Sequence, residues 1–205
     1  MVNVEQNYLG NPNLKKSKQL LVLPSKYSYF ILHLGLLLVQ FAYTIYIIME
    51  CVQSTFDEIY DTWHNKLWPN RISKIEPMSS LYWCFPNKII KDNLIFERYS
   101  PTFWVVKDNE KIIGVNSGFR TDEKVYRSRG LYVDSTYRRQ GISQILLRQA
   151  ILQGKNEECH WIWSMPRKSA LPAYQKIGFK KRGKWLDEGV EFGPNCLVTR
   201  QVLYK

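Results

Sequence analysis

The chain has 205 residues, of which 29 are Lys or Arg and 18 are Asp or Glu, for a formal charge of +11; 45% are hydrophobic and 14% aromatic. That is enough apolar surface for one core of ordinary domain size, which excludes a disordered or collagen-like chain. Cys51, Cys84, Cys159 and Cys196 stand far apart without a CxxC and with three histidines in the whole chain. Such spacing fits neither a disulfide framework nor a zinc site, implies no metal, and suits a reducing compartment such as the cytoplasm.

Residues 1–26 form a basic, polar tail and residues 27–48 an apolar segment; Tyr27 to Met49 holds no Lys, Arg, Asp or Glu. About 20 predominantly apolar residues are enough to span a bilayer. Lys15, Lys16, Lys18 and Lys26 precede the segment, while Lys66 and Arg71 lie well after it, a bias that would hold the N-terminus inside. A membrane anchor in that orientation would carry the rest of the chain out of the cytosol. Three alternatives compete with it: a helix lying on the body of the protein, an uncleaved signal-like segment, and an upstream stretch before a true start at Met49. The long region before the apolar run and the lack of an A-x-A site weigh against a secretory signal. Within the tail, Asn7-Tyr8-Leu9-Gly10-Asn11-Pro12-Asn13-Leu14-Lys15-Lys16 resembles a stretch near the front of the large terminase subunits of tailed phages. That resemblance implies a viral origin, hence a host cytoplasm, and favours a mis-set gene start.

Residues 1–48 contribute four Lys and one Glu, so the remaining 157 residues keep 25 basic and 17 acidic side chains. The excess of positive charge belongs to the body, 49–205. Ser54 is placed to cap a helix with Asp57 and Glu58 in its first turn and Phe56, Ile59, Tyr60 and Trp63 on one face, ended by Pro69. Trp63, Trp68, Arg71, Tyr82 and Trp83 fall in this helical region. Thr102 to Lys107 and Lys111 to Phe119 read as strands of a hairpin around Asp108-Asn109-Glu110, and Val125 to Val133 as a third strand. An amphipathic helix follows, with Ile142, Ile145, Leu146 and Ala150 on one face and Gly154 as its C-terminal cap. Cys159 to Met165 is an aromatic-rich strand. A helix from Ser169 carries Ala170, Ala173, Tyr174 and Ile177 on one face, tolerates Pro172 in its first turn, and ends at Gly178. Two last strands lie near Lys180 to Trp185 and Cys196 to Leu203.

Arg138-Arg139-Gln140-Gly141-Ile142-Ser143 stands between a strand and a helix. A glycine turn there presents free backbone N–H groups at the positive end of a helix dipole, a site for a pyrophosphate. Downstream, after another strand, comes Ala170-x-x-x-Tyr174-x-x-x-Gly178-Phe179. Together the two clusters resemble the GNAT superfamily of N-acetyltransferases over roughly Thr55 to Leu203. The resemblance implies an α+β fold: a mixed, mostly antiparallel twisted sheet of six to seven strands with helices on both faces. It implies acetyl-CoA as cofactor, backbone groups of Leu131 and Val133 pairing with its pantetheine arm, and Arg138, Arg139, Gln140, Gly141, Ile142, Ser143 and Gln144 around its diphosphate. It also implies Tyr174 as the general acid that protonates the departing thiolate, and direct acetyl transfer to a primary amine of a small molecule or peptide.

The sequence departs from the family pattern at three points. Ser143 replaces a commoner Gly or Ala, and Arg167 stands where an Asn is common, so the contact that the Asn makes does not transfer. The strand Tyr126-Arg127-Ser128-Arg129-Gly130 lacks the Glu that many members use as general base. Glu123, Asp134 and His160 are nearby candidates, and a water chain is the favoured one. Each signal has a plainer reading: Tyr174 and His160 as core residues, Arg127 and Arg129 as a solvated face rather than selectors of an anionic acceptor, and Lys180, Lys181, Arg182 and Lys184 as a solvated edge rather than a nucleic-acid contact. A non-catalytic CoA-binding or interaction module is the rival function. A nucleic-acid partner ranks last for want of a motif, and a homodimer is compatible with everything above.

Overall fold

The structure is a computed structural model that describes residues 49–86, 88–187 and 191–202. These belong to one compact unit, Thr44–Lys205, and the other, Met1–Tyr43, lies outside the described residues. The basic tail and the apolar segment 27–48, with their membrane and gene-start readings, therefore also lie outside them. Among the described residues no helix is long and apolar enough to cross a membrane.

In chain order the elements are β1 (Met49–Ser54), α1 (Phe56–Thr62) running into a π-helical turn at Trp63–Leu67, β2 (Leu81–Cys84), β3 (Lys88–Lys91) and α2 (Ile95–Arg98). There follow β4 (Thr102–Asp108), β5 (Lys111–Asp122), β6 (Val125–Val133), a 3-10 turn at Ser135–Tyr137, α3 (Ile142–Asn156), β7 (Trp161–Ser164), α4 (Leu171–Lys176), β8 (Lys180–Leu186) and β9 (Asn195–Gln201). Seven strands form one sheet in the order β1-β4-β5-β6-β7-β9-β8. Every neighbouring pair is antiparallel except β6 and β7, which α3 connects as a crossover. This is the mixed, mostly antiparallel α+β sheet that the resemblance implies.

Strand β4 shows how the two faces are covered. Its side chains alternate, so Trp104 and Val106 join the cluster built with Ile142, Leu146, Leu147 and Ala150 of α3, while Phe103 and Val105 join Ile59 and Trp63 of the α1 segment. Both faces are thus closed by helices, and β4 reads as an almost continuous apolar run. Fully burying one such Leu or Ile contributes about 1.5–3 kcal/mol.

Several expectations are corrected. Thr55, not Ser54, caps α1: its side chain accepts from the Glu58 N–H, and Ser54 ends β1. Strand β1 itself went unforeseen, because Glu50 and Gln53 dilute its apolar pattern; it is an edge strand held by β4. Tyr82 and Trp83 lie not in a helix but on β2, which forms a separate two-stranded sheet with β3. Gly154 does not end α3, which continues to Asn156; a Cβ at Gly154 would come within 3.1 Å of Tyr126, so the glycine serves close packing.

Candidate active site

The pairing of β6 with β7 stops early. Val125, Tyr126 and Arg127 pair with Trp161, Ile162 and Trp163, and beyond that point β6 runs on to Val133 with β5 on one side and, among the described residues, no strand on the other. A bulge sets what the open stretch presents: between Ser117 and Val115 of β5, Asn116 alone faces Gly130 and Leu131 of β6. The extra residue reverses the alternation of side chains. Arg127 and Arg129 therefore point to the α1 side, whereas Leu131 and Val133 pack with the α3 cluster. Gly130 makes the bulge possible with φ +74°, and its carbonyl accepts from Trp63 Nε1 at 2.9 Å.

The split strands open into a cavity of about 910 Å³ whose wall includes Leu131, Val133, Arg138, Arg139, Gly141, Ile142, Ser143, Gln144 and Tyr174. Of the residues expected around a diphosphate, Gln140 alone is missing from the wall; its Nε2 turns back to the Thr136 carbonyl at 3.5 Å. Gly141 is the N-cap of α3 at φ +87°, and a Cβ there would meet nothing within 4 Å. Arg139 shares the left-handed conformation at φ +66°. The N–H groups of Ile142 and Ser143, in the first turn of a 15-residue helix, have no intrahelical acceptor. Free N–H groups, a helix dipole and two arginines around open space fit a diphosphate well. Arg138 Nε is engaged with the Val133 carbonyl at 3.1 Å, which leaves its terminal nitrogens for an anion and takes one acceptor from the open strand.

Tyr174 stands at the apex of the split. Its hydroxyl is 3.0 Å from Ser164 Oγ, at the end of β7, and Ser164 Oγ is 2.7 Å from the Ser128 carbonyl of β6. A carbonyl only accepts, so the single Ser164 proton goes to Ser128 and the phenol is free to serve as donor. Burial raises the Tyr174 pKa above its ordinary value, against the opposing pull of Ser164, Ser128 and the Arg127 charge. The group is therefore protonated throughout the neutral range, as a proton donor must be. Ser164 and Ser128 were not singled out by sequence reasoning, since serines at strand ends carry no distinctive signal.

None of the three candidate bases reaches the cavity wall. Glu123 is exposed in the β5–β6 turn and His160 is exposed before β7. Asp134 faces Thr136 and Lys111, and hydrogen bonds from Thr136, foremost, hold its carboxyl below the usual range. The carboxylates that do line the wall, Glu76 and Glu191, are committed to Lys74 at 2.8 Å and to Ser73 Oγ and Arg71 at 2.6 and 3.6 Å.

Arg127 and Arg129 are not solvated: they are 6% and 8% exposed on the cavity wall. Burial pushes the Arg127 guanidinium down to about 10 and Arg129 well below its ordinary value, with the Arg127 and Arg71 charges adding to the effect on Arg129. Trp68 packs against Arg71 and Arg129 at 4.8 Å each. Arg167, on the cavity wall, donates to the Leu67 carbonyl at 3.0 Å, a structural role for the residue that replaces the commoner Asn. Lys180, Arg182 and Lys184 sit on the edge strand β8, where lysines discourage further pairing.

Fold and wall together define an α+β protein whose open sheet splits between two parallel strands around a cavity. The acetyltransferase (GNAT) family model matches residues 59–179, and the chain belongs to that family. It is 31% identical over 109 residues to human N-acetyltransferase 8, a match covering 49% of this chain and 48% of that protein. With human N-acetyltransferase 8B it shares 31% identity over 90 residues, covering 40% of each. The aligned part thus spans about half the length of the curated relatives or less. A GNAT-family acetyltransferase from Staphylococcus aureus Mu50 has the same fold, with a TM-score of 0.51 at 16% identity over 76% of this chain and 99% of that one.

Proposed function

We propose that the protein transfers the acetyl group of acetyl-CoA directly to a primary amine, with Tyr174 as proton donor to the leaving sulfur. The observation that carries this reading is the split between β6 and β7, with a buried phenol at its root and free N–H groups of α3 at its mouth. Acetyl-CoA, when bound, supplies a thioester carbonyl open to attack. Arg139, Gly141, Ile142, Ser143 and Gln144 hold the diphosphate, aided by Arg138. Leu131 and Val133 orient the pantetheine arm through their backbone. The attacking nitrogen forms the C–N bond as the C–S bond breaks, and Tyr174 gives the sulfur its proton.

The amine must first lose a proton. A lysine-like ammonium, with a pKa of about 10.4, costs about 4.6 kcal/mol to neutralise at pH 7. A positively charged wall lowers that cost, because one guanidinium about 7 Å away is worth on the order of 2 kcal/mol at an effective dielectric of about 20. The proton then leaves through water, since no carboxylate among the described residues of the wall is available to take it. That same lack of a carboxylate on β6 favours the rival reading, a module that binds CoA without turnover.

Calorimetry with acetyl-CoA on the full chain, combined with thiol release in the presence of a panel of amines, tests both. Micromolar binding with acceptor-dependent thiol release supports transfer. Binding without release from any amine supports the module, and no binding by folded protein refutes both.

A further inference from the structure

The side of the cavity facing α1 carries two buried guanidiniums that no carboxylate among the described residues pairs with directly; only the Glu76 charge acts on Arg129 from a distance. Arg127 and Arg129 stand two residues apart on β6, and neither forms an ion pair among the described residues. An uncompensated buried charge is costly, and two adjacent ones repel each other. Their surroundings offset this only in part. Arg127 lies over the Trp163 ring at 4.4 Å and donates through Nη1 to Ser79 Oγ at 3.0 Å and the Leu81 carbonyl at 3.1 Å. Arg129 lies against Trp63 and Trp68 at 4.9 and 4.8 Å and donates through Nη1 to the Glu76 carbonyl at 2.8 Å. Arg127 Nε is buried with no hydrogen-bond partner among the described residues.

With aromatic rings against its face, a guanidinium takes further partners along its in-plane N–H edge. That edge matches a planar carboxylate, which accepts two parallel hydrogen bonds. The diphosphate end of the cavity is built differently, from backbone N–H groups at a helix start. Arg127 also directly precedes Ser128, whose carbonyl lies at the apex beside Ser164 and Tyr174. An anion held on these two arginines is therefore a neighbour of the reacting centre.

We propose that the acceptor is an amine bearing its own carboxylate, an amino acid or a compound with an amino-acid end, its carboxylate held by Arg127 and Arg129 and its amine turned toward Tyr174. This rests on the acetyl-transfer reading above. One carboxylate cancels one of the two charges, so the wall stays positive and continues to disfavour the ammonium form of the amine.

The experiment compares the full chain on amines matched with and without the carboxylate: phenylalanine with phenethylamine, tryptophan with tryptamine, histidine with histamine and lysine with cadaverine. Thiol release from acetyl-CoA and product mass are followed, and acetyl-CoA binding is measured on the same preparation. A partner group missing from a buried charge is expected to lower kcat/KM about thirtyfold or more for the decarboxylated member of the best pair. Arg129→Gln should shrink that ratio, and Arg129→Lys, which keeps the charge but loses the fork, should restore only part of it. Should either variant fail to fold, the wild-type ratio alone decides. Equal or faster transfer to the decarboxylated amine overturns the proposal, as does binding of acetyl-CoA without transfer to any of the four acids. Failure to bind acetyl-CoA at all overturns the acetyl-transfer reading, and this inference falls with it.

Discussion

Replacing Tyr174 by Phe removes one oxygen from a buried ring and little else. The Tyr174 ring meets Phe179 edge to face at 5.2 Å, a contact that Phe preserves, and Ser164 keeps its hydrogen bond to the Ser128 carbonyl at 2.7 Å. The net loss is one hydrogen bond, about 1 kcal/mol, which shifts the melting temperature of a domain of this size by about 2–4 °C. General-acid catalysis contributes about 10²–10⁴ in rate, so turnover should fall a hundredfold or more with acetyl-CoA affinity unchanged. The pH profile separates a proton donor from a packing residue. Burial raises the Tyr174 pKa, so the phenol stays protonated past the ordinary phenol value and the wild-type rate loses its donor only on the alkaline side of that value. The same sign holds for stability: the protonated phenol's contribution is fully present below its unfolded value and is lost as pH rises through the folded one. Thiol release, calorimetry and a melting curve on Tyr174→Phe check this together. Turnover within twofold of wild type would refute the general-acid role; a large loss of acetyl-CoA affinity would refute the claim that the hydroxyl acts on the leaving group.

Gly141→Glu puts a carboxylate and a strained left-handed residue into the diphosphate cradle; acetyl-CoA affinity measured by calorimetry should drop at least about a hundredfold, while the fold loses only about 1–3 kcal/mol. Gly154→Leu should destabilise the protein by about 1–3 kcal/mol in a denaturant titration, because the new side chain must enter the packing between α3 and Tyr126. Thiol labelling at pH 8, followed by peptide mass, should modify exposed Cys84 first, since Cys159 and Cys196 are buried and burial pushes Cys159 and half-buried Cys51 up to about 11.

Much of the scaffold was legible before folding. The β4–β5 hairpin around Asn109, the strand Val125–Val133, and the helices bearing Leu146 and Tyr174 all follow from local periodicity and turn chemistry, and they appear where expected. Strand β1 and the β2–β3 pair were not legible, because short edge strands with polar residues have too little pattern for periodicity to detect. Gly154 illustrates a different limit. A glycine near the end of a helix suggests a cap, but its actual reason is Tyr126, distant in sequence and adjacent only after α3 docks.

The site divides in the same way. Arg139, Gly141 and the start of α3, the cradle proposed for the diphosphate, are consecutive residues, so local sequence determined their arrangement by itself. Tyr174 was marked only by the family resemblance of the cluster from Ala170 to Phe179. What only the tertiary structure decided is everything that depends on strands meeting: the end of β6–β7 pairing at Arg127, the bulge that sends Arg129 to one face and Leu131 to the other, and the Ser128–Ser164–Tyr174 apex. The burial of Arg127 and Arg129 belongs to this second group. Two arginines on one strand face are ordinarily solvated, and here they become the inner wall of a cavity only because Trp63, Trp68 and Trp163, from both ends of the chain, close over them. Charge is a property of the residue, but its desolvation is a property of the neighbours that folding brings.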